Sequence, residues 1–162
     1  MSTQENLLAA FAGESQANRK YTAFAAVAEK EGHKDAARLF LAAAEAENIH
    51  AISELRLAGK LGDTKANLNA AIEGETYEFT TMYPEFEDAA KKEGKDAPVR
   101  AFQFAKDAEK IHAALYKEAS ASLGKDTGEA YYLCPTCGFI QKGSAPDTCP
   151  ICKAKGAAFK KY

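Results

Sequence analysis

The stretch Phe102-Gln-Phe-Ala105-Lys-Asp-Ala-Glu109-Lys-Ile-His112-Ala-Ala-Leu-Tyr116 decides the fold. Phe102, Ala105, Glu109, His112 and Tyr116 recur at the three-and-four spacing of one helix face, so a stripe that ought to be apolar is broken by an acid and an imidazole. Phe40, Ala43, Glu47 and His50 repeat the device. Leu7, Phe11, Glu14, Tyr21, Ala25 and Ala28 form a third interrupted stripe, and Leu68, Ile72, Glu75, Phe79, Met82 and Phe86 a fourth, with Glu78 one turn from Glu75. The spacing predicts helices over 4–31, 34–58, 66–93 and 96–123, separated by breaks at Gly32, Gly59 to Gly62, and Gly94. Abundant alanine and few β-branched residues favour an all-α four-helix bundle over any sheet. Pro84 lacks a backbone donor and is expected to kink the third helix.

An ionised carboxylate buried without a partner costs several kcal/mol, so the five acids Glu14, Glu47, Glu75, Glu78 and Glu109 cannot converge unless cations join them. Glu47/His50 and Glu109/His112 each place an oxygen and a nitrogen donor one turn apart, and acids from the other two helices complete a paired-metal site. The charges agree. Residues 1–123 carry 15 Lys/Arg against 20 Asp/Glu, a net −5, and setting the five acids aside leaves a balanced surface. His33 has no acid three residues before it and reads as a solvated loop histidine. Glu54, beside Arg56, reads as an exposed ion pair or a supporting group rather than a ligand.

All four cysteines fall between residues 134 and 152, as Cys134-Pro-Thr-Cys137 and Cys149-Pro-Ile-Cys152. Two turns that each present two thiolates can enclose one iron or zinc tetrahedrally, which a tail too small to hold itself together by apolar burial requires. Two disulfides are the competing arrangement. The close pairing and the lack of an apolar N-terminal segment oppose it, and lead us to expect a reducing cytoplasm. The expected organisation is a bundle over 1–123, a polar linker over 124–130 and a small metal-bound β/loop domain over 131–162. No run of 18 apolar residues suggests a membrane span, and no basic stripe suggests a nucleic-acid partner.

Ala12-Gly-Glu14-Ser, Glu47-Asn-Ile-His50, Gly74-Glu75-Thr-Tyr-Glu78-Phe, Met82-Tyr-Pro84, Glu109-Lys-Ile-His112 and the two Cys-Pro-x-Cys knuckles together resemble the rubrerythrin family over essentially the whole chain. The resemblance implies a ferritin-like di-iron bundle followed by a rubredoxin-like domain. It also implies a peroxidase that reduces hydrogen peroxide to water, with single electrons arriving through the tetrathiolate iron. The electrons would come from a small rubredoxin- or flavoprotein-type donor linked to reduced nicotinamide. By the same resemblance Glu14, Glu47, Glu75, Glu109 and His112 are constant ligands, Glu78 and His50 exchange at one iron, and Tyr21 and Tyr83 hydrogen-bond near the site. Charge gives that exchange a reason. Two ferrous ions balance four glutamates, whereas two ferric ions leave an excess that a fifth carboxylate lowers. The enzymatic alternative is a ferroxidase or iron-handling protein with a structural zinc tail. One departure from the family pattern is Lys153, which follows the second knuckle where a left-handed backbone usually favours glycine.

The link between the second and third helices is short. From Ala58 to Asn67 it holds eight residues, at most about 28 Å extended, whereas a return along a ferritin-like bundle covers about 30 Å plus about 10 Å sideways. The expectation is a domain-swapped homodimer whose sites take ligands from both subunits, with one subunit's tail near the other's di-iron site.

Overall fold

A computed structural model describes residues 2–162. Helices α1 (Thr3–Lys30) and α2 (Lys34–Leu57) form one compact unit that ends at Gly62. A second unit, from Asp63 to Tyr162, holds α3 (Thr64–Tyr77), a π-turn (Glu78–Met82), α4 (Tyr83–Lys92), α5 (Asp96–Ala121) and the strands β1 (Tyr131–Leu133), β2 (Ile140–Lys142) and β3 (Lys160–Lys161). The fold class is the expected one, ferritin-like helices followed by a small strand-and-loop module. Local chemistry sets the helix ends. Ser2 and Glu5 make a reciprocal capping box, and the Asp63 carboxylate accepts from the Ala66 amide at 2.8 Å. Gly32, Gly59 and Gly94 take positive φ just beyond helix ends, where a Cβ would be strained.

The two helical hairpins are copies. Tyr21, Phe24, Phe40, Glu47 and His50 recur 62 positions later as Tyr83, Phe86, Phe102, Glu109 and His112. The ring triads match: Tyr21, Phe24 and Phe40 lie 5.6–6.3 Å apart, and Tyr83, Phe86 and Phe102 lie 5.7–6.4 Å apart. Glu14, however, recurs only 61 positions later, as Glu75. The π-turn absorbs the extra residue, because the Tyr83 amide donates to the Glu78 carbonyl five residues back and so widens one turn. The irregularity expected at Pro84 falls just before it, in the π-turn at Glu78–Met82. The helix has already opened before it, and Pro84 lies in the first turn of α4, where its missing N–H is not needed.

Among the described residues of the first unit every buried apolar residue is an alanine, namely Ala25, Ala28, Ala37, Ala44, Ala51 and Ala58, while Leu39 (70 %) and Ile49 (62 %) remain exposed. The second unit adds a small core of Cys134, Phe139 and Cys149, against which Ile111 of α5 packs. Its sheet has the order β2-β1-β3, both pairs antiparallel, with Leu133 opposite Ile140 and Lys160. Lys142 ties β2 to Glu118 of α5 at 2.5 Å.

Candidate functional site

Three donor clusters stand out among the described residues: Glu14, Glu47 and His50; Glu75, Glu109 and His112; and the four cysteines. In each, one donor atom per residue lies within 4.8 Å of the others. In the first unit, His50 Nδ1 stands 3.0 Å from Glu47 Oε2. Glu14 and Glu47 share a hydrogen bond, which with burial and Coulomb repulsion pushes the Glu14 carboxyl above its ordinary value. In the second unit, His112 Nδ1 lies 2.6 Å from Glu109 Oε2 and 3.7 Å from Glu75 Oε2. Burial, and then a hydrogen bond with Glu109, raise the Glu75 carboxyl to about 7. The His112 hydrogen bond holds Glu109 low. Burial works against the His112 cation, yet Glu109, the Gly138 carbonyl and Glu75 together raise its pKa. Glu78 is raised by burial and then by the Glu109 charge, although it lies outside the three-residue cluster. Tyr83 is raised by burial and then by Glu109, Glu78 and Glu75. Tyr21 lies in the matching ring triad of the first unit.

Glu87 shows how this chain satisfies a buried acid without metal. Its carboxylate takes Lys91 Nζ and Lys106 Nζ at 2.5 Å and Gln103 Nε2 at 3.0 Å, and these donors hold its pKa at about 2. The ion pairs of Glu47, Glu75 and Glu109 are with histidines alone, and Glu75 Oε2 is buried without a hydrogen-bond partner. Carboxylates and imidazoles that meet without a lysine or arginine fit a pair of divalent or trivalent ions.

The four thiols are free, with Cys134 and Cys152 sulfurs 3.6 Å apart and those of Cys137 and Cys149 3.5 Å apart. Those separations suit the edges of a tetrahedron, about 3.8 Å for a metal–sulfur bond of about 2.3 Å. The knuckles are twins. Gly138 N–H donates to the Cys134 carbonyl and Lys153 N–H to the Cys149 carbonyl, both at 3.1 Å. Burial opposes the Cys134 thiolate, but the Thr136 and Cys137 amides outweigh it and bring the thiol down to about 7. Lys153 does adopt the left-handed conformation, with φ +64°, and its Nζ turns back to the Pro150 carbonyl at 2.9 Å.

The chain matches the rubrerythrin family model over residues 5–120 and the rubrerythrin rubredoxin-like domain over residues 132–160. It belongs to the rubrerythrin family. Nigerythrin of Nitratidesulfovibrio vulgaris is 40 % identical over 99 % of this chain and 87 % of its own length. Rubrerythrin-1 of Clostridium acetobutylicum is 36 % identical over 98 % of this chain and 93 % of its own. The structure of fully reduced, all-ferrous nigerythrin superposes with a TM-score of 0.62 at 39 % identity, covering 100 % of this chain and 87 % of that one. Membership makes the protein an iron-dependent oxidoreductase with a di-iron carboxylate/histidine site and a rubredoxin-like four-cysteine site. No helix of the described residues is long and apolar enough to cross a membrane.

Three features escaped the sequence reading. The first is the π-turn, whose trace was the slip from 62 to 61 in the repeat. The second is the Gly138 carbonyl, 2.8 Å from His112 Nε2. No side-chain pattern announces a backbone group. The third is the burial of Glu54 Oε2, which has no hydrogen-bond partner. His33 is exposed at the start of α2, as expected of a loop histidine.

Proposed function

We propose that the protein reduces hydrogen peroxide to two water molecules, taking two electrons and two protons per turnover. The electrons enter through the four-cysteine centre from a small rubredoxin- or flavoprotein-type donor linked to reduced nicotinamide. One observation carries this reading. Through Nδ1, His112 joins the cluster of Glu75 and Glu109, while through Nε2 it meets the carbonyl of Gly138, the residue after Cys137. An Nε2–H donated to that carbonyl leaves Nδ1 free to ligate, so a single imidazole links the two donor sets. A Gly138 Cβ would stand 4.0 Å from Ala108 Cβ, an ordinary contact, so the small alanine on α5 permits the approach, while the positive φ of Gly138 favours glycine at the knuckle.

When bound, paired iron supplies the redox change at the substrate and a four-thiolate iron relays single electrons. Glu14, Glu47 and His50 would hold one side of the pair, and Glu75, Glu109 and His112 the other. Glu78 is the acid that exchanges with His50. Burial and three nearby carboxylates keep the Tyr83 hydroxyl protonated, so it is available to donate a hydrogen bond towards the site, and Tyr21 is its counterpart in the other hairpin. The chain is organised as a bundle over 1–123, a linker over 124–130 and a rubredoxin-like domain over 131–162, in a cytoplasm reducing enough to keep the thiols available.

We infer that the active form is a domain-swapped homodimer. A two-helix unit with an all-alanine core and exposed leucines and isoleucines calls for a covering surface. Only residues 58–63 connect α2 to α3, a reach of about 21 Å at most. The four-cysteine module approaches the Glu75/Glu109/His112 half of its own chain, so in a swapped dimer each module serves a site to which both subunits contribute. Light scattering at micromolar concentration should give twice the chain mass, and a metallated monomer overturns the swap. The activity test compares peroxide reduction by a one-electron donor with ferrous oxidation under oxygen, on anaerobically prepared protein. Donor-dependent peroxide reduction and a red ferric-thiolate spectrum are expected. Faster ferrous oxidation with a colourless zinc tail favours a ferroxidase instead.

A further inference from the structure

Two acids depart from the internal repeat. Glu78 lies three residues after Glu75, where the first hairpin has Ala17 three after Glu14. Glu54 lies four residues after His50, where the second hairpin has Tyr116 four after His112. Glu78 already has a place in the proposed site, whereas Glu54 has none. Of the two readings the sequence allows, the exposed ion pair with Arg56 is not found among the described residues, which leaves the supporting role. Glu54 Oε2 is instead buried with no hydrogen-bond partner. A carboxylate oxygen is costly to leave so, and the same chain gives buried Glu87 three donors.

Helix pairing sets Glu54 near the first cluster, although it lies outside the group of Glu14, Glu47 and His50 whose donor atoms all fall within 4.8 Å. Gln4 bonds the Ala58 carbonyl and Asn18 the Ala44 carbonyl, each at 2.6 Å, which aligns α1 and α2 antiparallel with position 14 facing about 48 and position 54 facing about 8. Side chains lean towards the start of their own helix, so Glu14 and Glu54 lean towards each other, and the Glu54 charge acts on Glu14.

We propose that Glu54 is a further acid of the di-metal site, bonded to the ion held by Glu14, Glu47 and His50, directly or through one water on that ion. This rests on the reading that the helical clusters bind a metal pair. The test uses full-length Glu54→Gln and Glu54→Ala with the cysteine site filled. Anaerobic cobalt(II) is titrated against a competing chelator, and the visible d–d bands are followed. Both variants should weaken one of the two bundle ions by about tenfold to a hundredfold and change its bands, while the other ion binds as before. Without metal both should melt at or above the wild-type temperature, since an unpaired buried acid has gone. Two ions bound by both variants with wild-type affinity and bands overturn the role of Glu54 alone. A wild-type bundle that takes up no cobalt overturns the underlying metal-pair reading, and this proposal with it.

Discussion

The two hairpins present the same three donors on the same spacing, yet the His50 side chain is 57 % exposed and that of His112 only 16 %. What packs behind them makes the difference. Beyond His112 stands the cysteine module, which buries the imidazole and offers Nε2 a carbonyl. In its own unit His50 has Glu47 as a partner and is otherwise open. The helix repeat supplies the same donors to both clusters, and the module makes them unequal: a histidine held at both nitrogens in one, and a histidine held at Nδ1 in the other.

The largest expected effect separates these histidines. His112→Ala removes a ligand and the link to Gly138, so donor-driven peroxide turnover should fall by at least about a hundredfold, whereas His50→Ala should cost about tenfold. Equal losses in steady-state rates would mean that the asymmetry has no functional weight. Glu78→Ala comes next, because in the proposed exchange it withdraws the acid that offsets the greater charge of the oxidised pair. Formation of the oxidised site after peroxide addition should slow about tenfold, with ferrous binding little changed; stopped-flow absorbance together with iron analysis reads both.

The two sides should also separate by pH in the apoprotein. Glu75 titrates at about 7 rather than 4.5, and His112 above 6.5, so the folded chain keeps protons that the unfolded chain releases. Their contributions are present at low pH and lost as pH rises through the folded values. Depressed Glu109 works the other way, contributing above 4.5 and failing on acidification. The metal-free protein should therefore melt highest near pH 5 and progressively lower towards pH 8. Iron affinity should rise over the same interval, because metal displaces those protons. Thermal melts with and without iron at pH 5.5 and 7.5 check both signs, and a metal-free melting temperature that climbs over this range contradicts them.

The smallest effect belongs to the knuckles, where Gly138 and Lys153 occupy equivalent left-handed positions with φ +81° and +64°. A non-glycine residue there is strained by about 1 kcal/mol, so Lys153→Gly should stabilise the cysteine module by about that much or less. Resistance of the ferric-thiolate colour to denaturant measures it.

Helix positions and donor spacing were legible in the chain because they are local: Glu47 and His50, or Cys134 and Cys137, are brought together by a single turn whatever else packs around them. The left-handed backbone at Lys153 was legible for the same reason, since each knuckle repeats one short turn. Pro84 marks an irregularity in the third helix, but a missing amide does not reveal that the preceding turn widens into a π-turn. For Glu54 the sequence leaves an exposed ion pair and a supporting role both open, because burial depends on how α1 faces α2. Sequence alone therefore determined which atoms could bind metal and roughly where each helix runs. Tertiary structure decided which histidine is fixed, which acid is left without a partner, and where the cysteine module meets the helices. These depend on contacts between positions far apart in the chain, such as His112 and Gly138, which only the packing of whole elements brings within reach.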